Sequence, residues 1–153
     1  MSVPVIVRSV HGLEWVCAAE VAAIFPQADQ ITMSRRQVEF RIPEPDARLL
    51  ALRCADDAFL RVGQVAGVGT AKDAVPELAR RLSRLEWPNA IAMLRQVRGS
   101  RHISTFDCVV SIEGKRNYNR YAVETAAGNA LRECSTAASW NVHRHGGSTS
   151  HPI

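Results

Sequence analysis

The stretch Gly114-Lys115-Arg116-Asn117-Tyr118-Asn119-Arg120-Tyr121 concentrates three cations, two amides and two phenol rings in one short segment. Long cationic side chains, free backbone N–H groups and flat rings are the groups that hold phosphates and nucleobases. No catalytic motif of comparable strength occurs elsewhere in the sequence. The stretch therefore indicates a nucleic-acid ligand.

Each side chain of this segment has an expected role. Lys115, Arg116 and Arg120 are predicted to pair with phosphates. Asn117 and Asn119 are expected to cap the following helix or to bind sugar. Tyr118 is the predicted stacking residue, because Tyr121 is expected to face inward. The competing interpretation is an ordinary solvated turn whose tyrosines pack on the core.

The flanking sequence places this segment between a strand and a helix. Apolar residues alternate over 105–113, which predicts a half-buried strand, and they recur at helical spacing over 120–134. The alternating set is Phe106, Cys108, Val110 and Ile112, and the helical set is Val123, Ala127, Ala130, Leu131 and Cys134. A basic loop between these elements is compatible both with RNA contact and with an ordinary turn.

Other cations cluster without an equally specific context. Arg98 and Arg101 precede the predicted strand, and they are counted among the RNA-binding candidates because they extend the basic surface. The arginines at 80, 81 and 84 lie on one helix face, which is either solvated or a stripe that follows phosphates. The pair at 35–36 is interpreted as a soluble hairpin turn.

Composition bounds the remaining possibilities. The chain has 153 residues, a net charge of +4 and 46% hydrophobic residues, which suits one ordinary domain or two small ones. No apolar stretch approaches the roughly 20 residues of a membrane span, and no signal peptide is evident. A cytoplasmic protein without a membrane partner is expected. The four cysteines form no C-x-x-C pair, so no metal site is predicted.

The element order predicts an α+β fold in two parts. Residues 1–66 read as strand, helix, strand, strand, helix, strand, and this βαββαβ order is the ferredoxin-like topology. A glycine-rich joint at 63–70 separates it from a second α/β unit. The predicted domains are 1–66, 67–143 and a flexible tail at 144–153.

Several segments resemble the THUMP domain of tRNA-modifying enzymes. They are Phe106-Asp107-Cys108-Val109-Val110, Gly114-Lys115-Arg116-Asn117-Tyr118-Asn119-Arg120, Val123-Glu124 and Gly128-Asn129-Ala130-Leu131. The run Val7-Arg8-Ser9-Val10-His11-Gly12-Leu13-Glu14 is similar to the opening of THUMP-containing RNA methyltransferases. In that family a ferredoxin-like domain accompanies THUMP, as the βαββαβ order here predicts.

The resemblance implies the substrate-recognition half of an S-adenosylmethionine-dependent RNA methyltransferase. THUMP binds RNA in this family, so the implied partners are tRNA and a methyltransferase domain or subunit. The family's glycine-rich cofactor loop and its Asn- or Asp-Pro-Pro-Tyr motif are absent here, and so are the last THUMP strands. No cofactor and no catalysis are therefore expected of this chain alone. A fragment, a degenerate gene and a free-standing adaptor all stay open, as does a ferredoxin-like protein- or ligand-binding domain without an RNA role.

Overall fold

The computed structural model describes residues 2–99, 105–135 and 141–142. It divides into two compact units, Met1–Gly63 with Glu86–Arg101, and Gln64–Leu85 with His102–Ile153. No helix in these described ranges is both long and apolar enough to cross a bilayer.

The first unit is built on a four-stranded antiparallel sheet in the order β2-β3-β1-β4. Its elements are β1 (Val3–Arg8), α1 (Glu14–Ile24), β2 (Asp29–Ser34), β3 (Gln37–Ile42), a 3₁₀ helix (Ala47–Ala51), β4 (Asp57–Leu60) and α3 (Trp87–Arg98). Exposure alternates strictly along β3, where Val38, Phe40 and Ile42 are buried. Helix α1 packs Cys17 and Val21 into the same core. An antiparallel sheet with helices on it confirms the α+β class.

The boundary between the units differs from the predicted domains, because α3 belongs to the first unit. The second helix of the predicted βαββαβ order is only a five-residue 3₁₀ helix, Ala47–Ala51. So short an element covers little of the sheet, and α3 packs against it and buries Val97 in the core with Leu49 and Leu52. The predicted tail at 144–153 lies outside the described residues.

The second unit places two helices against each other. Its elements are α2 (Ala74–Leu82), β5 (Thr105–Phe106), α4 (Arg120–Ser135) and β6 (Asn141–Val142). Helix α4 buries Val123, Ala127, Ala130 and Leu131, as its helical pattern predicts, and it packs against α2. The Sγ atom of Cys134 lies 3.1 Å from the Ser83 carbonyl oxygen.

The strand predicted over 105–113 is regular only at its start. Thr105 and Phe106 pair in parallel with β6, and residues 107–113 follow without strand pairing. Their exposure still alternates: Cys108 is half-buried, whereas Val109 is 88% exposed. The Val110 N–H donates to the Glu124 carboxylate at 3.1 Å instead of to a strand. The alternation therefore reports a segment with one covered face, and it does not identify a pairing partner.

A carboxylate organises one end of the first unit. Glu14 opens α1 and accepts hydrogen bonds from the backbone N–H groups of Arg36 at 2.7 Å and Gly12 at 2.8 Å. It thereby joins the β1–α1 loop to the β2–β3 hairpin, where Arg36 has a φ of 60°. These donors, above all the Arg36 N–H, lower the pKa of Glu14 from 4.5 to about 2.

This pKa makes the stability of the first unit sensitive to acid. Because the folded-state pKa is depressed, the carboxylate's contribution is complete above pH 4.5 and is lost as the pH falls towards 2. We expect Glu14→Gln to lower the stability at neutral pH and to flatten the loss of stability over that acid range. Urea unfolding of both proteins across a pH series, followed by circular dichroism, measures the difference.

The matched control is Glu44→Gln, which alters an exposed carboxylate that makes no hydrogen bond to another described residue. It should keep the pH profile of the wild type. Indistinguishable profiles for the wild type and Glu14→Gln would contradict the prediction.

Candidate nucleic-acid interface

The basic loop, residues 114–121, connects the extended segment to the first turn of α4. Gly114 turns the chain with a φ of 75°, a conformation that favours glycine. The helix begins at Arg120, so the loop residues Lys115 to Asn119 lie immediately before its N-terminus. Backbone N–H groups without intrahelical partners are concentrated there, and they favour negative charge.

Two hydrogen bonds fix the loop to the glycine-rich segment of the same unit. The Asn117 N–H donates to the Thr70 carbonyl oxygen at 2.8 Å, and the Tyr118 hydroxyl donates to the Gly69 carbonyl oxygen at 3.1 Å. We call this pair of bonds the clasp. It anchors two consecutive loop residues to an adjacent stretch of backbone, so the loop is held as a defined surface.

Asn119 closes the other end of the loop as the N-cap of α4. Its Oδ1 atom accepts the Ala122 N–H at 2.9 Å, which satisfies one of the orphan donors of the first helical turn. This matches one of the two roles expected of it. Asn117 contributes its backbone N–H to the clasp, and its side chain is exposed.

The loop cations face solvent. Lys115 and Arg116 are both exposed, and neither forms an ion pair with any residue in the described ranges. Arg116, Asn119 and Arg120 line an open depression of about 510 Å³, whose other wall is the segment around Ser111 and Ile112. The arrangement offers guanidinium groups and backbone polar groups to an anionic ligand.

The two tyrosines are placed opposite to expectation. Tyr118 is partly buried and uses its hydroxyl in the clasp, whereas Tyr121 is 61% exposed. The Arg120 guanidinium carbon lies 4.7 Å from the Tyr121 ring centroid, and Arg120 Nη2 donates to the Tyr121 hydroxyl at 2.8 Å. Helical spacing could have identified this, because position 121, two residues before Val123, lies on nearly the opposite face of α4 from the buried stripe.

The remaining arginine candidates are not part of the loop. Arg98 is exposed in the last turn of α3, which belongs to the first unit through the packing of Val97. Arg101 lies outside the described residues. Among the described loop and helix residues, the structure therefore brings together the candidates from Lys115 to Arg120.

The arginine-rich face of α2 is paired with a carboxylate. Glu77 accepts hydrogen bonds from Arg80 at 2.7 to 2.9 Å and from Arg81 at 2.7 Å. These bonds, those from Arg80 first, lower the pKa of Glu77, and Arg81 also donates to the Ala66 carbonyl oxygen at 2.8 Å. The pairing favours a solvated helix face over a stripe that follows phosphates.

Metal chemistry has no support in the described part of the chain. No group of three His, Cys, Asp or Glu side chains there is placed to hold an ion. Burial and nearby carboxylates raise the pKa of Cys17 and Cys108, so these thiols are poor nucleophiles. The site is suited to binding an anion.

Comparison with known proteins gives a likeness of fold. No protein-family model and no curated protein matches the sequence. TrmN from Thermus thermophilus matches 94% of this chain with a TM-score of 0.67 and 21% identity, and the match covers 39% of that structure. A "predicted N6-adenine-specific DNA methylase" from Listeria monocytogenes matches 90% of the chain with a TM-score of 0.64 and 17% identity.

A third structure, "a possible methylase" from Clostridium difficile, matches 90% of the chain with a TM-score of 0.58 and 16% identity. The chain spans 32% to 39% of the lengths of these three structures. It therefore has the fold of a part of these three longer structures.

The cap at Asn119 can be tested separately from any ligand. We expect Asn119→Ala to lower the free energy of unfolding by about 1 kcal/mol, because the first turn of α4 loses its side-chain acceptor. Asn119→Asp is the matched variant, since a carboxylate caps equally well and suits the helix N-terminus. Urea unfolding measures both. A midpoint for Asn119→Ala equal to that of the wild type would show that the cap is not stabilising.

Proposed function

We propose that this chain is an RNA-binding module that docks structured RNA, with tRNA as the expected ligand, through the basic loop at 114–121. The observation that carries the proposal is the exposure of Lys115 and Arg116 on a fixed loop. Both are exposed, both lack carboxylate partners in the described ranges, and both stand on a loop fixed by the clasp and by the cap at Asn119.

The mode of binding follows from the chemistry of the loop. Guanidinium and ammonium groups pair with phosphates, and they carry little sequence information. Shape and backbone contacts dominate the recognition of folded RNA, whose deep, narrow major groove is closed to side chains. We therefore infer a module that positions an RNA by its backbone.

The fold supports a relation to nucleic-acid methylation. The strand order β2-β3-β1-β4 is compatible with a ferredoxin-like unit, although a 3₁₀ helix stands where that fold has its second helix, and the loop before α4 is the segment that resembles THUMP. The matched structures include two described as methylases, and each is more than twice as long as the matched region. We infer that this chain corresponds to a substrate-recognition portion of such an enzyme, and that a methyltransferase domain or subunit acts with it.

Binding to RNA through the loop predicts a specific salt dependence. Removal of one phosphate-binding cation should flatten the slope of log affinity against log salt by roughly 0.7 to 0.9. We expect Lys115→Ala and Arg116→Ala to weaken the binding of unmodified tRNA and to flatten this slope. Filter binding across a salt series measures both quantities.

Arg35→Ala is the matched control, because Arg35 is an exposed arginine in the hairpin of the first unit. It should leave the slope and the affinity unchanged. Unchanged affinity and slope in both loop variants would refute the RNA-binding role of the loop. The absence of salt-dependent tRNA binding by the wild type would instead favour a protein- or ligand-binding domain.

Because catalysis is assigned to a separate domain or subunit, we predict that this chain alone does not bind the methyl donor. We expect S-adenosylmethionine to leave its melting temperature unchanged, because no segment of the sequence supplies a cofactor loop. A bound ligand at 100 times its dissociation constant would stabilise the fold by about 2.7 kcal/mol, which thermal unfolding detects. A concentration-dependent rise in melting temperature would overturn this assignment.

A further inference from the structure

The end of the first unit at which β1 finishes carries exposed apolar side chains. Val10 is 53% exposed, Leu13 46% and Trp15 66%, and the three lie close together in the β1–α1 loop and the first turn of α1. Exposed apolar groups that cluster in this way mark a surface that binds another molecule. Tryptophan is also among the residue types that contribute most to protein–protein affinity.

The backbone on both sides holds this apolar loop in place. Towards the β2–β3 hairpin, the Ser9 N–H donates to the Arg36 carbonyl oxygen at 3.1 Å, and the Glu14 carboxylate accepts the Arg36 N–H at 2.7 Å. Towards β4, the Asp56 N–H donates to the Arg8 carbonyl oxygen at 2.8 Å. The loop therefore lies between the hairpin and the start of β4, and it needs little further ordering to bind a partner.

The two sides of the loop carry opposite charges. Arg35 and Arg36 are exposed in the hairpin, and Asp56 and Asp57 are exposed at the start of β4. None of the four forms an ion pair with a residue in the described ranges. The sheet order β2-β3-β1-β4 places the hairpin and β4 on opposite sides of β1, so the charges are separated by the loop.

Two further charged groups at this end are already engaged within the unit. The Glu14 side chain is only 15% exposed and binds backbone N–H groups. The Arg8 guanidinium carbon lies 5.3 Å from the Phe59 ring centroid, and Arg8 pairs in register with Asp57. With both groups included, the hairpin side keeps a positive balance and the β4 side a negative one.

A surface that is positive on one side, apolar in the middle and negative on the other is complementary to itself. In a two-fold symmetric dimer the same patch faces its own copy. With the axis at the apolar loop, the guanidinium groups of each copy meet the carboxylates of the other, and the apolar side chains of both copies pack together at the centre. Such complementary charges fix the orientation of two partners.

We propose that this end of the first unit is an interface between two copies of the chain, related by a two-fold axis at the β1–α1 loop. A uniformly acidic partner or a nucleic acid would bring negative charge against Asp56 and Asp57, whereas a second copy matches both sides. The proposal does not rest on RNA binding, because none of its residues belongs to the basic loop.

The test is the association of the full chain with itself, measured by sedimentation equilibrium. One loop, one hairpin and one strand end form a patch below the standard interface size, so we expect a reversible dimer with a Kd of roughly 1 to 100 µM. Added salt should weaken it, because exposed charges are screened.

Charge reversal tests the pairing of the two sides. The double variants Arg35→Glu with Arg36→Glu and Asp56→Lys with Asp57→Lys each give both sides of the patch the same sign, so each should raise the Kd at least about tenfold. An equimolar mixture of the two variants should associate again, because every side then faces its opposite. Circular dichroism checks that each variant is folded.

A neutral position at the centre gives an independent variant. Val10→Asp places two carboxylates at the axis and leaves the charged sides intact, so it should also raise the Kd at least about tenfold. Val109→Asp is the matched control, because Val109 is an exposed valine of the second unit, and it should keep the wild-type Kd.

Three results would each overturn the proposal. One is a wild-type chain that stays monomeric up to about 500 µM, well above the expected Kd. The second is a folded Val10→Asp variant that dimerises as the wild type does. The third is the failure of the two folded charge variants to associate when they are mixed.

Discussion

The clasp between the basic loop and the glycine-rich segment is the constraint on which the candidate interface depends. The three cations of the loop repel one another, and a free loop has high conformational entropy. Contacts with other segments must therefore fix its conformation. The Thr70 and Gly69 carbonyl oxygens do this by accepting the Asn117 N–H and the Tyr118 hydroxyl. Asn119 then caps α4, and the loop is anchored at consecutive positions before the helix begins.

The positions of the carboxylates explain why the loop cations are available to a ligand. On α2, Glu77 lies one helical turn from Arg80 and Arg81 and binds both, so those charges are already compensated. In the loop, the nearby carboxylate of Glu124 accepts the Val110 N–H. Glu124 forms no ion pair with Lys115 or Arg116 among the described residues, so these two exposed charges have no carboxylate in contact with them. The distribution of the carboxylates, more than the number of arginines, determines where an anion is attracted.

The spacing of apolar residues predicted the buried faces of helices and strands better than it predicted which other elements they pair or pack with. The alternation of Val38, Phe40 and Ile42 and the helical spacing of Val123, Ala127 and Leu131 predicted the correct buried faces, because burial of one face is what creates these patterns. The alternation over 105–113 indicated a covered face but not a paired strand. Assignment of α3 to the first unit was not predicted, because it depends on the packing of Val97 against a core whose other members lie far earlier in the chain. Only long-range packing contains that information.

The sequence by itself determined that a basic, aromatic segment stands between an extended run and a helix, because residue type and spacing are local properties. It also determined the α+β class through the order of its periodic segments. Only the tertiary structure decided that the Tyr118 hydroxyl is bound within the protein. Tyr118 donates its hydroxyl to the carbonyl oxygen of Gly69, 49 residues earlier, whereas Tyr121 is exposed beside Arg120. A hydrogen bond to a partner so distant in the sequence forms only when the chain folds, so residue type and spacing do not predict it.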